Sequence, residues 1–418
     1  MRSTVPQLAS SFRLGWKWPE ALRALRYRNF RLFFFGQLIS LIGSWMQTTA
    51  QQWLVYRLTG SQLSLGLVTF LNFLPVLLLS LFMGVIVDRF PRRRLLLITQ
   101  TWFMLLALAL AWLTLTGRVT YNHLVILSLL LGVGNALDMP ARQAFLADLV
   151  GRDQLLNAIA LNSSVFNGTR IVGPALGGLA VALWGEAAAF LLNGVSYLAV
   201  LVGLLGVRLA LTPSDHPPAR GWAGVGEGLR HLGADRRLLG LVSMVALFSV
   251  MGYPYNVLLP ALARDTYGLG AEGFGALMAA MGVGALVAGI SLAVRGEGRG
   301  KGRLLLMNRW LFSAGAAGLA LSPSLTVAFV ALAVSGYAVI TQLAITNTLI
   351  QQTAPDHLRG RIVSGYTWAL GGFWPLGALL MGTLGDRLGA AAATGIAAGG
   401  SAILAGLGLL WFPETGEL

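Results

Sequence analysis

The charged side chains of this sequence are few, and their spacing limits the chemistry it can perform. Asp138 and Arg142 stand four residues apart in an apolar stretch, so on a helix they share one face and can pair. Arg170 lies in a second apolar stretch, three residues before Gly173-Pro174. Asp88 closes a third apolar run beginning before Gly84, and Arg89, Arg92, Arg93 and Arg94 follow it around Pro91. Charges at such depth in apolar sequence face a cavity or a partner, and they handle protons, ions or one another. No cysteine is present, which excludes thiol catalysis, disulfides and thiolate metal sites. The four histidines, His123, His216, His231 and His357, have no metal-ligand spacing, and no nucleophile stands with a base. An enzyme is therefore not expected. A phosphate-binding loop of the Gly-x-x-x-x-Gly-Lys-Ser/Thr type is also missing, so no cofactor is expected and energy must come from an ion or substrate gradient.

The elements that position these charges are membrane helices. Of 418 residues 56% are hydrophobic and 11% charged, with a mean hydropathy of +0.71. Soluble domains carry roughly 25% charged residues. Crossing a bilayer core takes about 20 apolar residues. Twelve such spans are expected: 30–56, 64–87, 95–116, 122–147, 157–183, 187–207, 238–260, 271–294, 304–322, 325–350, 362–385 and 389–412. With the N-terminus inside, 25 of the 30 Lys and Arg fall on the cytoplasmic side. Arg57, Arg118, Arg264 and Arg387 fall outside, and Arg170 stays within span 5. The net charge of +14 is thus read as an orientation signal, not as a nucleic-acid surface. Both termini are expected in the cytoplasm, with the chain in the inner (plasma) membrane.

The N-terminal segment 1–29 is too basic, and the run after it too long, for a cleaved signal peptide. Its Pro19–Arg28 part reads as a short basic amphipathic helix on the inner leaflet. The connection 208–237 is the one rich in Pro, Gly and charge. It separates an N-terminal six-helix bundle, 30–207, from a C-terminal one, 238–412, with a tail at 413–418. Similarity between the halves recurs in order at offsets near 200–210, a transporter layout. The expected fold class is an all-α membrane protein of twelve transmembrane helices in two pseudo-symmetric six-helix bundles.

Between the bundles an amphipathic substrate cavity is expected. Mid-span amides are the first candidates to line it, because an unsatisfied amide in hydrocarbon costs several kcal/mol: Gln47, Gln51, Asn72, Asn135, Asn162, Asn167, Asn256, Gln342 and Asn347. Trp45, Tyr366, Trp368 and Trp374 could join them. Asp138 is the one acid placed within a span, and so the candidate for proton coupling; a purely structural pair with Arg142 is the alternative. Arg170 could bind an anionic substrate group or pair with Asp138 from the next helix, and pairing is the favoured reading.

The motif Gly84-x-x-x-Asp88-Arg89-x-x-Arg92-Arg93 is similar to the loop 2–3 signature of the major facilitator superfamily, with Pro91 where a glycine is usual. Gly168-Thr-Arg-Ile-Val-Gly173-Pro174-Ala-Leu-Gly177-Gly178 resembles the antiporter motif of facilitator exporters. Arg28-Asn-Phe-Arg-Leu-Phe-Phe-Phe-Gly-Gln and Asp138-Met-Pro-Ala-Arg142-Gln-Ala-Phe resemble the branch of macrolide-type efflux pumps and the enterobactin exporter. The resemblance implies that Asp88 and the arginines Arg89, Arg92, Arg93 and Arg142 form a cytoplasmic latch with the start of span 11, near Arg361. It also implies that the span 5 glycines pack on a helix of the other half. The expected function is secondary export of a small amphipathic molecule (drug, siderophore or other metabolite) by proton antiport. The expected partners are that substrate, protons and membrane lipids, with a monomeric chain and no nucleic acid. Uptake or lipid flipping by the same fold, and a non-transporting sensor or scaffold, are the alternatives.

Overall fold

The computed structural model describes residues 20–208, 230–295, 300–322, 324–355 and 358–411. Most of the N-terminal segment, most of the inter-bundle connection and the C-terminal tail lie outside the described residues, and so do the readings placed on them. The described chain is helical, with no strand. After a 3-10 helix, Glu20–Arg26, come α1 (Arg28–Thr59), α2 (Gln62–Arg89), α3 (Arg92–Leu115), α4 (Tyr121–Val150), α5 (Leu155–Trp184) and α6 (Glu186–Gly206). The second half contains α7 (Arg236–Met251), α8 (Ala271–Arg295), α9 (Lys301–Leu321), α10 (Leu325–Thr353), α11 (Arg359–Leu388) and α12 (Ala390–Trp411).

Local chemistry explains where the helices begin and end. Asp235 caps α7 by accepting from the Arg237 and Leu238 amides at 2.8 and 3.2 Å. Ser61 caps α2 by accepting from the Ser64 amide at 3.1 Å. Beyond α7, Gly252 and Pro254 interrupt the hydrogen-bond ladder. The chain continues through irregular helical turns, Tyr253–Leu258, Leu259–Ala261 and Leu262–Thr266, so that span ends six residues later than expected. The expected loop after span 2 is also shorter. Helix α2 runs on through Gly84 and Asp88, only Phe90 and Pro91 make the turn, and Arg92–Arg94 form the first turn of α3.

Among the described residues nine helical stretches are long and apolar enough to cross a membrane on hydropathy alone. The other three, α1, α5 and α11, have 32, 30 and 30 residues, and it is polarity that sets them apart. All three reach the place where the halves meet.

Each half packs within itself: α1 on α6 and α5, α2 on α4, and α3 on α6; then α8 on α10, α9 on α10 and α12, and α7 on α11. Across the halves, α2 packs on α11 and α5 on α8. A shift of six helices turns the first of these pairs into the second, so the contact obeys the two-fold pseudo-symmetry. The buried apolar residues follow the same plan. One cluster joins the two halves and includes Met46, Leu65 and Phe190 with Tyr255, Phe274 and Met381. Toward the arginine-rich end the core divides in two. Phe33, Leu96 and Phe145 belong to the first half, and Leu241, Leu349 and Ile362 to the second.

Candidate functional site

Asp138 is fully buried on α4, at 0% exposure. Its carboxylate accepts from Thr99 Oγ1 at 2.6 Å and Gln100 Nε2 at 2.8 Å, both on α3, and from Arg142 one turn along its own helix. Three donors on one carboxylate offset much of the cost of removing that charge from water. Sequence spacing pointed to Arg142; Thr99 and Gln100 were missed, because their role depends on how α3 is rotated against α4.

Arg170 does not pair with Asp138. It sits near the middle of α5 and turns toward the other half, donating from Nη2 to the hydroxyl of Tyr253. Its guanidinium carbon is 5.8 Å from the Trp45 ring centroid and 6.0 Å from that of Tyr253, inside the range of cation–π attraction. Tyr253 in turn lies beside Trp374, centroids 6.0 Å apart, and Trp374 meets Phe73 edge-on at 4.5 Å. Five elements thus converge: α1, α2 and α5 from one half, the turn after α7 and α11 from the other. Tyr253 escaped sequence reasoning, although the Gly252-Tyr253-Pro254 break was its signal.

Of the amides expected to line the cavity, several are placed elsewhere. Gln47 accepts from Asn193 Nδ2 at 2.7 Å and Gln51 donates to Ser128 at 2.7 Å, so both tie helices together inside the first bundle. A period-3.6 pattern that is polar on more than one side gives no sign of which side faces the cavity. Tyr366 is buried in the second bundle and donates to the Leu343 carbonyl. Gln342 is buried too, with its Nε2 lacking a protein partner. Asn72, Asn135, Asn162, Asn167, Asn256 and Asn347 are half-buried. Asn167 and Asn347 bond within their own helices, and Asn256 Oδ1 is buried without a protein partner. Trp368 is exposed and stands edge-on to Phe373.

The antiporter-type segment divides its contacts. A Cβ on Gly178 would lie 2.5 Å from the Ala271 carbonyl oxygen of α8, and one on Gly275 would lie 2.5 Å from the Pro174 carbonyl oxygen. Gly173 and Gly177 instead press against Trp45 and Met46 of α1, in the same half, and Gly168 meets no neighbour.

At the far end from the arginines, polar contacts join the halves. Asp386 at the end of α11 accepts from Ser61 Oγ at 2.7 Å and from the Gln62 amide at 2.5 Å, at the positive start of α2. Tyr56 donates to Asp265, and the Arg264 guanidinium carbon is 5.9 Å from the Tyr56 ring centroid.

The arginine-rich end is different. Asp88 and Arg89 are exposed, and none of the described hydrogen bonds or ion pairs reaches Asp88. Arg92 pairs with Asp148 of α4 at 2.6 Å, and Arg93 donates to the Leu204 and Leu205 carbonyls at the end of α6. Arg142 is held by Asp138. Among the described residues the expected latch contacts are not made: Arg92, Arg93 and Arg142 bond within the first half, and Gly84 has no neighbour close enough to need a glycine. The Arg361 side chain lies outside the described residues. Arg309, counted as an orientation signal, is instead buried on α9 against Gly408 of α12, with Nη1 lacking a partner.

Two six-helix bundles meeting around a mid-span polar and aromatic junction define a multi-pass membrane transporter fold. The chain belongs to the major facilitator superfamily, in the family described as transmembrane secretion effectors, which it matches over residues 20–414. It is 27% identical over 364 residues to the staphyloferrin A transporter of Staphylococcus aureus, spanning 86% of this chain and 90% of the relative. It is 29% identical over 408 residues to the multidrug efflux pump Tap of Mycolicibacterium fortuitum, spanning 93% and 96%. Its fold matches the crystal structure of the nucleoside transporter NupG with a TM-score of 0.73 at 13% identity, over 93% of this chain and 99% of that one.

Proposed function

We propose that the protein is a secondary exporter that expels a small amphipathic molecule across the inner membrane by alternating access, in exchange for protons. The observation that carries this reading is the divided core. One apolar cluster seals the halves together at one end, and two separate clusters leave them unjoined at the arginine-rich end. The positive-inside rule puts that end in the cytoplasm, so the cleft faces the compartment from which an exporter loads, and both termini lie on that side. The multidrug efflux pump named above supports export over uptake. The working unit in this reading is one chain among its lipids, since both halves of the cleft come from it. Everted membrane vesicles containing the protein test the proposal. They should accumulate an exported compound when energised and lose it on addition of a protonophore. Accumulation indifferent to the protonophore overturns proton exchange, and uptake into intact cells overturns export.

A further inference from the structure

We propose that the junction around Arg170 is a binding site for an organic anion, so that the cargo is a flat apolar molecule carrying a negatively charged group such as a carboxylate. This rests on the exporter reading and narrows it.

Charge is the first ground. Arginine keeps its proton at any physiological pH. At mid-helix depth such a cation is costly unless something faces it. The one hydrogen bond described for Arg170 goes to a neutral phenol, Tyr253, and no ion pair among the described residues includes it. The planar fork therefore has N–H donors left for a ligand oxygen, in the geometry that takes a carboxylate bidentately. The second ground is the lack of a counter-charge for a cationic cargo. Asp138, the acid within a span, is fully buried between α3 and α4 and is occupied by Thr99, Gln100 and Arg142. A cation at the junction would meet the positive Arg170 and, among the described residues, no free carboxylate at that depth.

Shape is the third ground. Trp45, Tyr253, Trp374 and Phe73 surround the guanidinium and its neighbour with ring faces and edges, and all four are half-buried, not sealed in the core. The Trp374 indole N–H is buried without a partner, a further donor in the same cluster. Rings of this kind take flat apolar bodies, and the guanidinium fixes the charged end. Because the walls come from both halves, a bound anion replaces or bridges the Arg170–Tyr253 bond, which ties the halves at mid-span. Occupancy of the site is thereby linked to their relative movement.

The test uses the purified full-length protein in detergent and three probes of nearly equal size: 2-naphthoate, neutral 2-naphthylmethanol and cationic 2-naphthylmethylammonium. Calorimetric titration should rank naphthoate first, at least about tenfold tighter than the alcohol, the ratio given by one charge-assisted contact of ~1.4 kcal/mol. The ammonium should bind weakest. Arg170→Gln should remove the preference, so that naphthoate and the alcohol bind within about twofold of each other, with the variant's melting curve in detergent as the control for folding. Tyr253→Phe should keep the preference, since it deletes a hydroxyl that competes for the guanidinium. Ammonium binding as tight as naphthoate, a preference that survives Arg170→Gln, or no naphthoate binding at millimolar concentration overturns the proposal. The wild-type ranking decides alone if the Gln variant does not fold. Export of cationic compounds only would also overturn the anion site while leaving the exporter standing. The predicted ranking in a protein that moves nothing across vesicles would keep the site and overturn the exporter.

Discussion

Asp138 and Arg170 share one property in the sequence, a charge inside an apolar stretch, and they have opposite surroundings in the fold. Asp138 is closed in by donors from its own helix and its neighbour; Arg170 is turned outward to the junction. The i, i+4 spacing made the first legible, because both partners lie on one helix face. No spacing relates Arg170 to Tyr253, which is 83 positions away on an element bent by Gly252 and Pro254. Pairing depends there on tertiary rotation, which periodicity does not carry. Asp138→Asn should lower thermal stability markedly. Breaking a buried pair by removing one partner costs about 3–5 kcal/mol, and the low end applies since the Arg142 side chain is 23% exposed and water reaches it. Thr99 and Gln100 use one carboxylate oxygen and Arg142 the other, so the amide keeps an acceptor on one side only and sets its NH2 against a donor on the other. Thermal melting in detergent checks the stability. Proteoliposomes with an imposed pH gradient check the coupling role: an Asn variant that still concentrates substrate in response to the gradient makes Asp138 structural.

At the scale of elements, hydropathy located nearly every helix, because a span's length is dictated by the bilayer. It was weakest where function enters. The three helices that fall short on hydropathy, α1, α5 and α11, all reach the place where the halves meet, and polar residues on several faces hid which side lines the junction. By motif the α2–α3 signature reads as a loop, yet most of it is helix, since Gly84 and Asp88 do not end a helix and Pro91 does. Two element contacts hold the halves at the end opposite the arginines, and each gives a prediction. At α5–α8, Gly178→Val would place branched atoms where even a Cβ lies 2.5 Å from a backbone oxygen of the other half. Overpacking of this kind costs roughly 1–3 kcal/mol, so this end should be forced apart and transport lost. At α2–α11, Asp386→Ala removes two hydrogen bonds at a helix start, worth about 1–2 kcal/mol. The closed form should then lose ground by roughly 5- to 30-fold. The chain has no native cysteine, so spin labels at Leu58→Cys and Leu388→Cys, both exposed at this end, report the separation directly. Unchanged distances in both variants would show that these contacts do not hold the end shut.

At the scale of the whole molecule, the proposed alternating access needs two states of comparable free energy, and one structure displays the contacts of only one. The end opposite the arginines is closed by Asp386, by Asp265 with Tyr56, and by a shared apolar core. The acid and arginines that the sequence marked most plainly belong to the open end, where Asp88 is exposed and Arg92, Arg93 and Arg142 bond inside their own half. A residue with no partner in this state cannot stabilise it, so any contribution of Asp88 to transport must come through the other state. Asp88→Asn should therefore leave the melting temperature of this form unchanged and still impair transport at matched expression. Labels at Leu156→Cys on α5 and Val294→Cys on α8, both more than four-fifths exposed at the open end, should show wild-type protein sampling a shorter separation. The Asn variant should lose most of that short-distance population, since ~1–2 kcal/mol of latch energy changes a two-state ratio by roughly 5- to 30-fold. A variant with full transport and an unchanged distance distribution would show that the signature acid is no latch, and that Arg92 and Arg93 do no more than tie α3 to α4 and α6.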